Sequence, residues 1–350
     1  MNNARSGALE RVAKGIFTAP SRRGTSIGHM TTFSRILVAV DGSAPSDSAV
    51  ELALRLRAPN QTVRFVAALD RDAVVAGYTA DPSMGHVIGE GLRQAEAERR
   101  SALEAASNAA RAVGVEPTAV LREGAAVDAI LTEAHASNAS CIAIGTHGRR
   151  GIARAVLGSC AEGVLRRSDV PVLIAHAGSI ASGADPFERI LCAVDDSPAA
   201  RLAYDTAAAL AAQRGAELHV LTVVDEFAAN FSLDGSNPYR AMSELRAQAQ
   251  AMIEALAAEA IARGGRIKLH VVGGADIADR IVHCATATGC GLVTIGTHGR
   301  DGLARAILGS TAEAVLRSST IPVLVLRDPS DGRGAERAAR AEFAAAPLPG

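Results

Sequence analysis

No stretch of this chain holds the 18 or so consecutive apolar residues that a membrane span requires. The first 30 residues also lack the unbroken hydrophobic core of a secretory signal. A surplus of one charge is missing too: 36 Lys and Arg stand against 37 Asp and Glu, a formal net charge of -1. Such a balance supplies no bulk attraction to nucleic acid or to an anionic membrane, so any anion site has to be local. The five cysteines, Cys141, Cys160, Cys192, Cys284 and Cys290, are odd in number and nowhere spaced C-x-x-C. They fit reduced thiols better than a disulfide framework, which leads to the expectation of a soluble, cytoplasmic protein. The loop GxxxxGK[ST] does not occur and no GxGxxG follows a strand, which argues against the P-loop and dinucleotide-binding classes.

What the chain does contain is one segment written twice. GTHGRRGIARAVLGS, from Gly145 to Ser159, returns as GTHGRDGLARAILGS, from Gly296 to Ser310. Aligned without gaps, Gly145 to His176 and Gly296 to Arg327 share 21 of 32 residues. The openings RILVAVDGS (Arg35 to Ser43) and RILCAVDDS (Arg189 to Ser197) match nearly as well. A duplication hands both copies the same motif at once, so the second copy is not independent confirmation of a function.

Length, and 48% hydrophobic residues, provide for two domains with a core each. In the first copy the apolar or β-branched runs are ILVAV, VRFVAAL, TAVLR, CIAIG and VPVLIA; in the second they are ILCAV, LHVLTVV, IKLHVV, LVTIG and IPVLVL. Runs apolar at every position suit parallel strands covered on both faces. Alanine-rich helical stretches alternate with them: 44–57, 94–113 and 127–137 in the first copy, 199–213 and 242–263 in the second. That alternation predicts a doubly wound α/β domain, twice. The expected layout is a flexible extension over 1–32, a domain over 33–176, a linker over 177–186, a second domain over 187–327 and a tail over 328–350. A transit peptide is the competing reading of the basic extension. The glycine-rich or polar segments 77–91 and 226–240 read as surface loops or as flaps over the two sites.

The repeated loop has the layout of a phosphate site: strand, glycine turn, helix start. Gly145 ends a strand and Gly148 follows three positions on, where a sharp turn and an approaching ligand both favour glycine. Gly158 and Ser159 open a helix whose free amides and positive dipole end, worth about half a charge, attract an anion. Arg149 and Arg154 add cationic charge nearby. A plainer reading exists for the serines: Ser159 with Glu162, and Ser310 with Glu313, fit the capping box S-x-x-E. Asp41 and Asp195 end the first strand of each copy, ahead of the N-cap candidates Ser43 and Ser197. A carboxylate there can accept hydrogen bonds from a ribose hydroxyl or an adenine amine, or serve the helix start alone. His147 and His298 read as polar loop residues rather than bases, and His283, Cys284 and Cys290 have poor metal-site spacing.

With the loops Gly145, Gly148, Gly158, Ser159 and Gly296, Gly299, Gly309, Ser310, accompanied in order by VDGS or VDDS and by VPVL or IPVL, both copies resemble universal stress protein domains of the ATP-binding type. The family loop is Gly, two residues, Gly, nine residues, Gly-Ser. The resemblance implies tandem Rossmann-like domains, of the adenine nucleotide alpha hydrolase-like kind, each a five-stranded parallel sheet in the order 3-2-1-4-5. It implies ATP as cofactor, with Mg2+ as its candidate companion. The implied binding set is Asp41, the backbone of Ala68, Gly145, Gly148, Arg149, Gly158 and Ser159, then Asp195, the backbone of Val223, Gly296, Gly299, Arg300, Gly309 and Ser310. It assigns no catalytic residue and no protein-held metal. It also implies that VPVLIA and IPVLVL pair within the chain as a pseudo-dimer, with a homodimer left open; the charge balance leads to the expectation that neither nucleic acid nor membrane is a partner. Three functions follow for comparison: an ATP-occupied regulatory module of the stress response, a slow ATPase or related adenylating enzyme, and a nucleotide-free scaffold. Adenylating relatives carry an SGG-type loop after the first strand, where this chain has VDGSAPS and VDDSPAA.

Overall fold

The computed structural model describes residues 33–57, 61–77, 85–146, 157–179, 185–226, 238–297 and 308–327. The first copy folds as β1 (Arg35–Ala39), α1 (Ala44–Leu56), β2 (Thr62–Leu69), α2 (Arg71–Ala76), α3 (Gly85–Ala112), β3 (Thr118–Glu123), α4 (Ala126–Ala136), β4 (Cys141–Gly145), α5 (Ser159–Arg167) and β5 (Val172–Ala175). The second follows as β6 (Arg189–Ala193), α6 (Pro198–Arg214), β7 (Glu217–Asp225), α7 (Pro238–Ala262), β8 (Ile267–Gly274), α8 (Ile277–Ala287), β9 (Leu292–Gly296), α9 (Ser310–Ser318) and β10 (Val323–Leu326).

The strands form one ten-stranded sheet in the order β3-β2-β1-β4-β5-β10-β9-β6-β7-β8. Within each copy neighbours run parallel, and the order is the expected 3-2-1-4-5. The copies meet at β5 and β10, which pair antiparallel with Leu173 opposite Leu324. Strand residues alternate between two cores because successive side chains point to opposite faces. Val38, Phe65, Cys192 and Val220 pack under α1, α3, α6 and α7, through Leu52, Leu103, Leu210 and Ile253. Leu37, Ile142, Leu191 and Val293 pack under α4, α5, α8 and α9, through Ile130, Val164, Ile281 and Val315. Both cores run unbroken across the β5–β10 junction, with Leu173 and Leu324 in one and Ile174 and Val323 in the other. Arg214, at the end of α6, reinforces the contact between copies by donating to the Arg55 carbonyl of α1 while its guanidinium lies 4.7 Å over the Phe187 ring.

Helices α3 and α7 begin earlier than the alanine pattern indicates, at Gly85 and Pro238. Parts of the two segments read as loops or flaps are therefore helical. Gly85, Gly89 and Gly91 disguise the start of α3, since each glycine costs a helix about 1 kcal/mol relative to alanine. A short helix, α2, precedes them in the first copy; the Asp70 carboxylate caps it by accepting from the Ala73 amide at 2.9 Å.

Candidate functional site

The ends of β1, β2 and β4 define one crevice in the first copy. β1 lies between its two neighbours, with Ile36 level with Cys141 on β4 and Ala39 level with Val66 on β2. Asp41, Ala68 and Gly145 thus arrive together at the carboxyl edge of the sheet, where the strand order reverses and open α/β sheets take their ligands. Asp195, Val223 and Gly296 arrive likewise in the second copy, from Ala193 level with Leu221 and Cys192 level with Thr294.

Gly145 has a reason of its own to be glycine. A Cβ there would stand 2.7 Å from the carbonyl carbon of Pro45 and 2.8 Å from the amide nitrogen of Ser46. At Gly296 it would stand 2.7 Å from the carbonyl carbon of Ala199 and 2.9 Å from the Ala200 amide. Both glycines let the first turn of α1 or α6 lie against the strand end, so the approaching group is a helix of the same copy rather than a ligand. That contact seats the aspartates. The Asp41 carboxylate accepts from the amide of Ser43 at 3.0 Å and from its hydroxyl at 2.6 Å. Ser43 caps α1, accepting from the Ser46 amide at 3.4 Å, and the Ser46 hydroxyl accepts from the Asp41 amide at 3.2 Å. Asp195 holds the Ser197 amide at 3.0 Å, and Ser197 caps α6 through the Ala200 amide at 3.2 Å. The helix-start role of these aspartates is real, and it fixes each carboxylate at the crevice.

The far side of the crevice is the start of α5. Its N-cap is Gly158, one residue before the serine the capping-box pattern points to, and no side chain caps it. Gly309 occupies the same place before α9, again with no side-chain cap. Glu162 and Glu313 turn down their helices to Arg166 at 2.7 Å and Arg317 at 2.6 Å, so the expected boxes do not close. Ser159 and Ser310 occupy the first helical position and are exposed. The first-turn amides of an α-helix have no partner inside the helix, and here no capping side chain replaces one. The Gly158 amide donates back to the Thr146 carbonyl at 2.6 Å, and Gly309 to Thr297 at 2.7 Å. Each glycine loop therefore leaves and rejoins the fold at one point. Cys160, on the first turn of α5, has its thiol pushed up to about 11 by burial first and then by the negative charge of Asp41. Gly148, Arg149, Gly299 and Arg300, with His147, Arg150, Arg154, His298 and Asp301, lie outside the described residues.

Local sequence pattern gives no target for one further residue at the end of β2. Arg99 of α3 donates from Nε to the Ala68 carbonyl at 3.0 Å. A signal for it existed, since Arg99 precedes the buried Leu103 and Ser107 by four and eight residues on one helical stripe. Among the described residues no group of three or more His, Cys, Asp or Glu stands together as a metal site, and no helix is long and apolar enough to cross a membrane. Cys284 and Cys290 have raised thiols, from burial first in each case.

Comparison with known proteins places the geometry in context. A family model described as the universal stress protein family matches residues 32–176 and again 186–327. A universal stress protein of Mycobacterium tuberculosis is 28% identical over 300 residues, covering 83% of this chain and 96% of that protein. One from Bacillus subtilis is 31% identical over 147 residues, 41% of this chain and 98% of its own. The crystal structure of a universal stress protein from Archaeoglobus fulgidus superposes with a TM-score of 0.59 at 26% identity, covering 84% of this chain and 96% of its own.

Proposed function

The chain belongs to the universal stress protein family, and we propose that each copy, 33–176 and 187–327, binds one ATP and that occupancy sets the state of a cytoplasmic stress-response regulator with little or no hydrolysis. The observation that carries this reading is the uncapped start of α5 and of α9 beside the reversal of strand order, where Asp41 and Asp195 follow the neighbouring strand ends. An α-helix start with open amides favours an anion by roughly 0.3–1 kcal/mol from its dipole, and each charge-assisted hydrogen bond adds about 1.5–3 kcal/mol. In the first copy Gly148, Arg149, Gly158 and Ser159 hold the phosphates, Gly145 seats the helix start that Asp41 binds through Ser43, Asp41 takes the ribose, and the Ala68 backbone meets the base. In the second the same parts fall to Gly299, Arg300, Gly309, Ser310, Gly296, Asp195 and Val223. Mg2+ would accompany the triphosphate and offset part of its charge; no protein ligand is assigned to it.

Regulation is favoured over catalysis because phosphoryl transfer calls for a metal-binding carboxylate, a charged clamp and a group to position water. In the first copy the Asp41 carboxylate is already engaged by Ser43. The nucleotide-free scaffold draws on the β5–β10 pairing, which joins the copies with or without a ligand. Mass spectrometry of small molecules released from the freshly purified full chain separates these readings. ATP at up to two per chain, falling to one in Gly148→Leu, supports the proposal. Absence of any nucleotide, with no ATP uptake on incubation, favours the scaffold; turnover well above background favours an enzyme.

A further inference from the structure

The two crevices are not alike at their inner end. In the first, the Val66 carbonyl accepts from the Val40 amide of the β1 segment at 2.9 Å. Residues two apart on a strand point their carbonyls the same way, so Ala68 directs its carbonyl to the β1 side, beyond the point where β1 has ended near Asp41. Arg99 holds that acceptor, reaching in from the buried stripe of α3 at 3.0 Å. The second crevice repeats the backbone: the Leu221 carbonyl accepts from the Val194 amide at 2.8 Å, which directs the Val223 carbonyl alike. Its helix differs. The buried positions Leu103 and Ser107 of α3 correspond to the buried Ile253 and Ala257 of α7, and that register puts Ala249 where Arg99 stands. A methyl group donates nothing.

We propose that Arg99 is a specificity-determining residue that makes the two base subsites unequal, occupying in the first copy the backbone acceptor that the second copy leaves to an adenine amine. The proposal rests on the reading above that Ala68 and Val223 meet the base. Adenine presents its exocyclic amine as a donor, and at the Ala68 carbonyl that amine has to share the acceptor with the Arg99 guanidinium or displace it. Competing with a charged donor for that acceptor lowers affinity on the order of tenfold. Adenosine, which lacks phosphates, isolates the effect: the second copy is the tighter adenosine site.

The experiment is calorimetry of adenosine, and separately of ATP, with the full-length chain as wild type, Arg99→Ala and Ala249→Arg. Expected are two adenosine sites about tenfold apart in wild type, two near-equal tight sites in Arg99→Ala, and two weak sites in Ala249→Arg. Ala249→Arg tests the idea in the other copy should Arg99→Ala fail to fold. Equal wild-type sites, or a weak site that Arg99→Ala leaves unchanged or weakens, overturn the inference while ATP binding still upholds the functional reading. ATP binding with no detectable adenosine also overturns it, since affinity would then reside in the phosphates. No binding of either ligand removes the functional reading itself.

Discussion

Replacing Gly145 by alanine tests the physical heart of the crevice. The new methyl carbon would lie 2.7 Å from both the carbonyl carbon and the Cβ of Pro45, and 2.8 Å from the Ser46 amide nitrogen. Carbon atoms pack comfortably at about 3.5–4.0 Å, so the start of α1 has to withdraw by close to 1 Å. Forcing extra atoms into a packed region costs typically 1–3 kcal/mol, and the upper end applies here because the obstacle is helix backbone, with a proline that cannot rotate away. The expected loss is about 3 kcal/mol in urea denaturation, accompanied by weaker ATP binding as Ser43 and the Asp41 carboxylate move with the helix. Gly89→Ala is the control: nothing lies within 4 Å of its added carbon inside α3, and it should stabilise by about 0.5–1 kcal/mol. Gly145→Ala changing stability by less than about 0.5 kcal/mol would refute the packing account. If ATP binding were nonetheless lost, the glycine would be making room for the ligand after all.

Glu133, fully buried and held between Arg64 at 2.5 Å and Arg122 at 2.6 Å, anchors α4 to β2 and β3; Glu133→Ala should cost about 3 kcal/mol in chemical denaturation, and a loss under 1 kcal/mol would contradict the pairing. In the second copy a chain of hydrogen bonds runs from Glu217 to His219 Nε2 at 2.8 Å and from His219 Nδ1 to His270 Nε2 at 3.0 Å, with Lys268 and Arg266 also on Glu217. Burial first, then the charges of His219 and Lys268, hold His270 below its ordinary 6.5, so the folded chain binds fewer protons there than the unfolded one. Stability should therefore fall as pH drops below about 6.5, with a further fall below about 4.5 as Glu217, held low by Lys268 and His219, loses its charge. His270→Asn should flatten the upper part of that profile, and a variant profile identical to wild type would remove His270 as its source. At the phosphate loops, Arg150 of the first copy is replaced by Asp301 in the second. Asp301→Arg should tighten ATP in a chain whose first site is disabled, by about fivefold at low salt, and no change would show that residue 301 does not face the phosphates.

Much of the fold could be read from residue pattern because the sheet is buried on both faces. CIAIG and LVTIG appear as β4 and β9 with the expected bounds, since five unbroken apolar or small residues between helices leave no other element of that length. The helix starts were harder to read. Glycines spaced through 85–91 look like loop until one sees a 28-residue helix whose later turns pack on β2 and β3 and override local propensity. Asp41 and Asp195 follow the strand ends by two residues, and their bonds to Ser43 and Ser197 belong to local turns that any helix start can make. At Gly145 the closeness to Pro45 is a contact across a hundred residues that no local pattern reveals. Ser159 misled for the converse reason: S-x-x-E describes a cap, but the backbone enters the helix one residue earlier, at Gly158. Arg99 shows the limit most clearly, since its helical phase was visible while its target, a carbonyl at the end of β2, exists only once the sheet is assembled.

Calorimetric titration of the full-length chain with ATP in the presence of Mg2+ tests the central claim most directly. Two bound ATP per chain are predicted, with one lost in Gly148→Leu, the other in Gly299→Leu, and both in the double variant whose thermal melt remains cooperative. Heat of binding that is absent in wild type, or retained in the well-folded double variant, would contradict the assignment of the glycine loops as nucleotide sites.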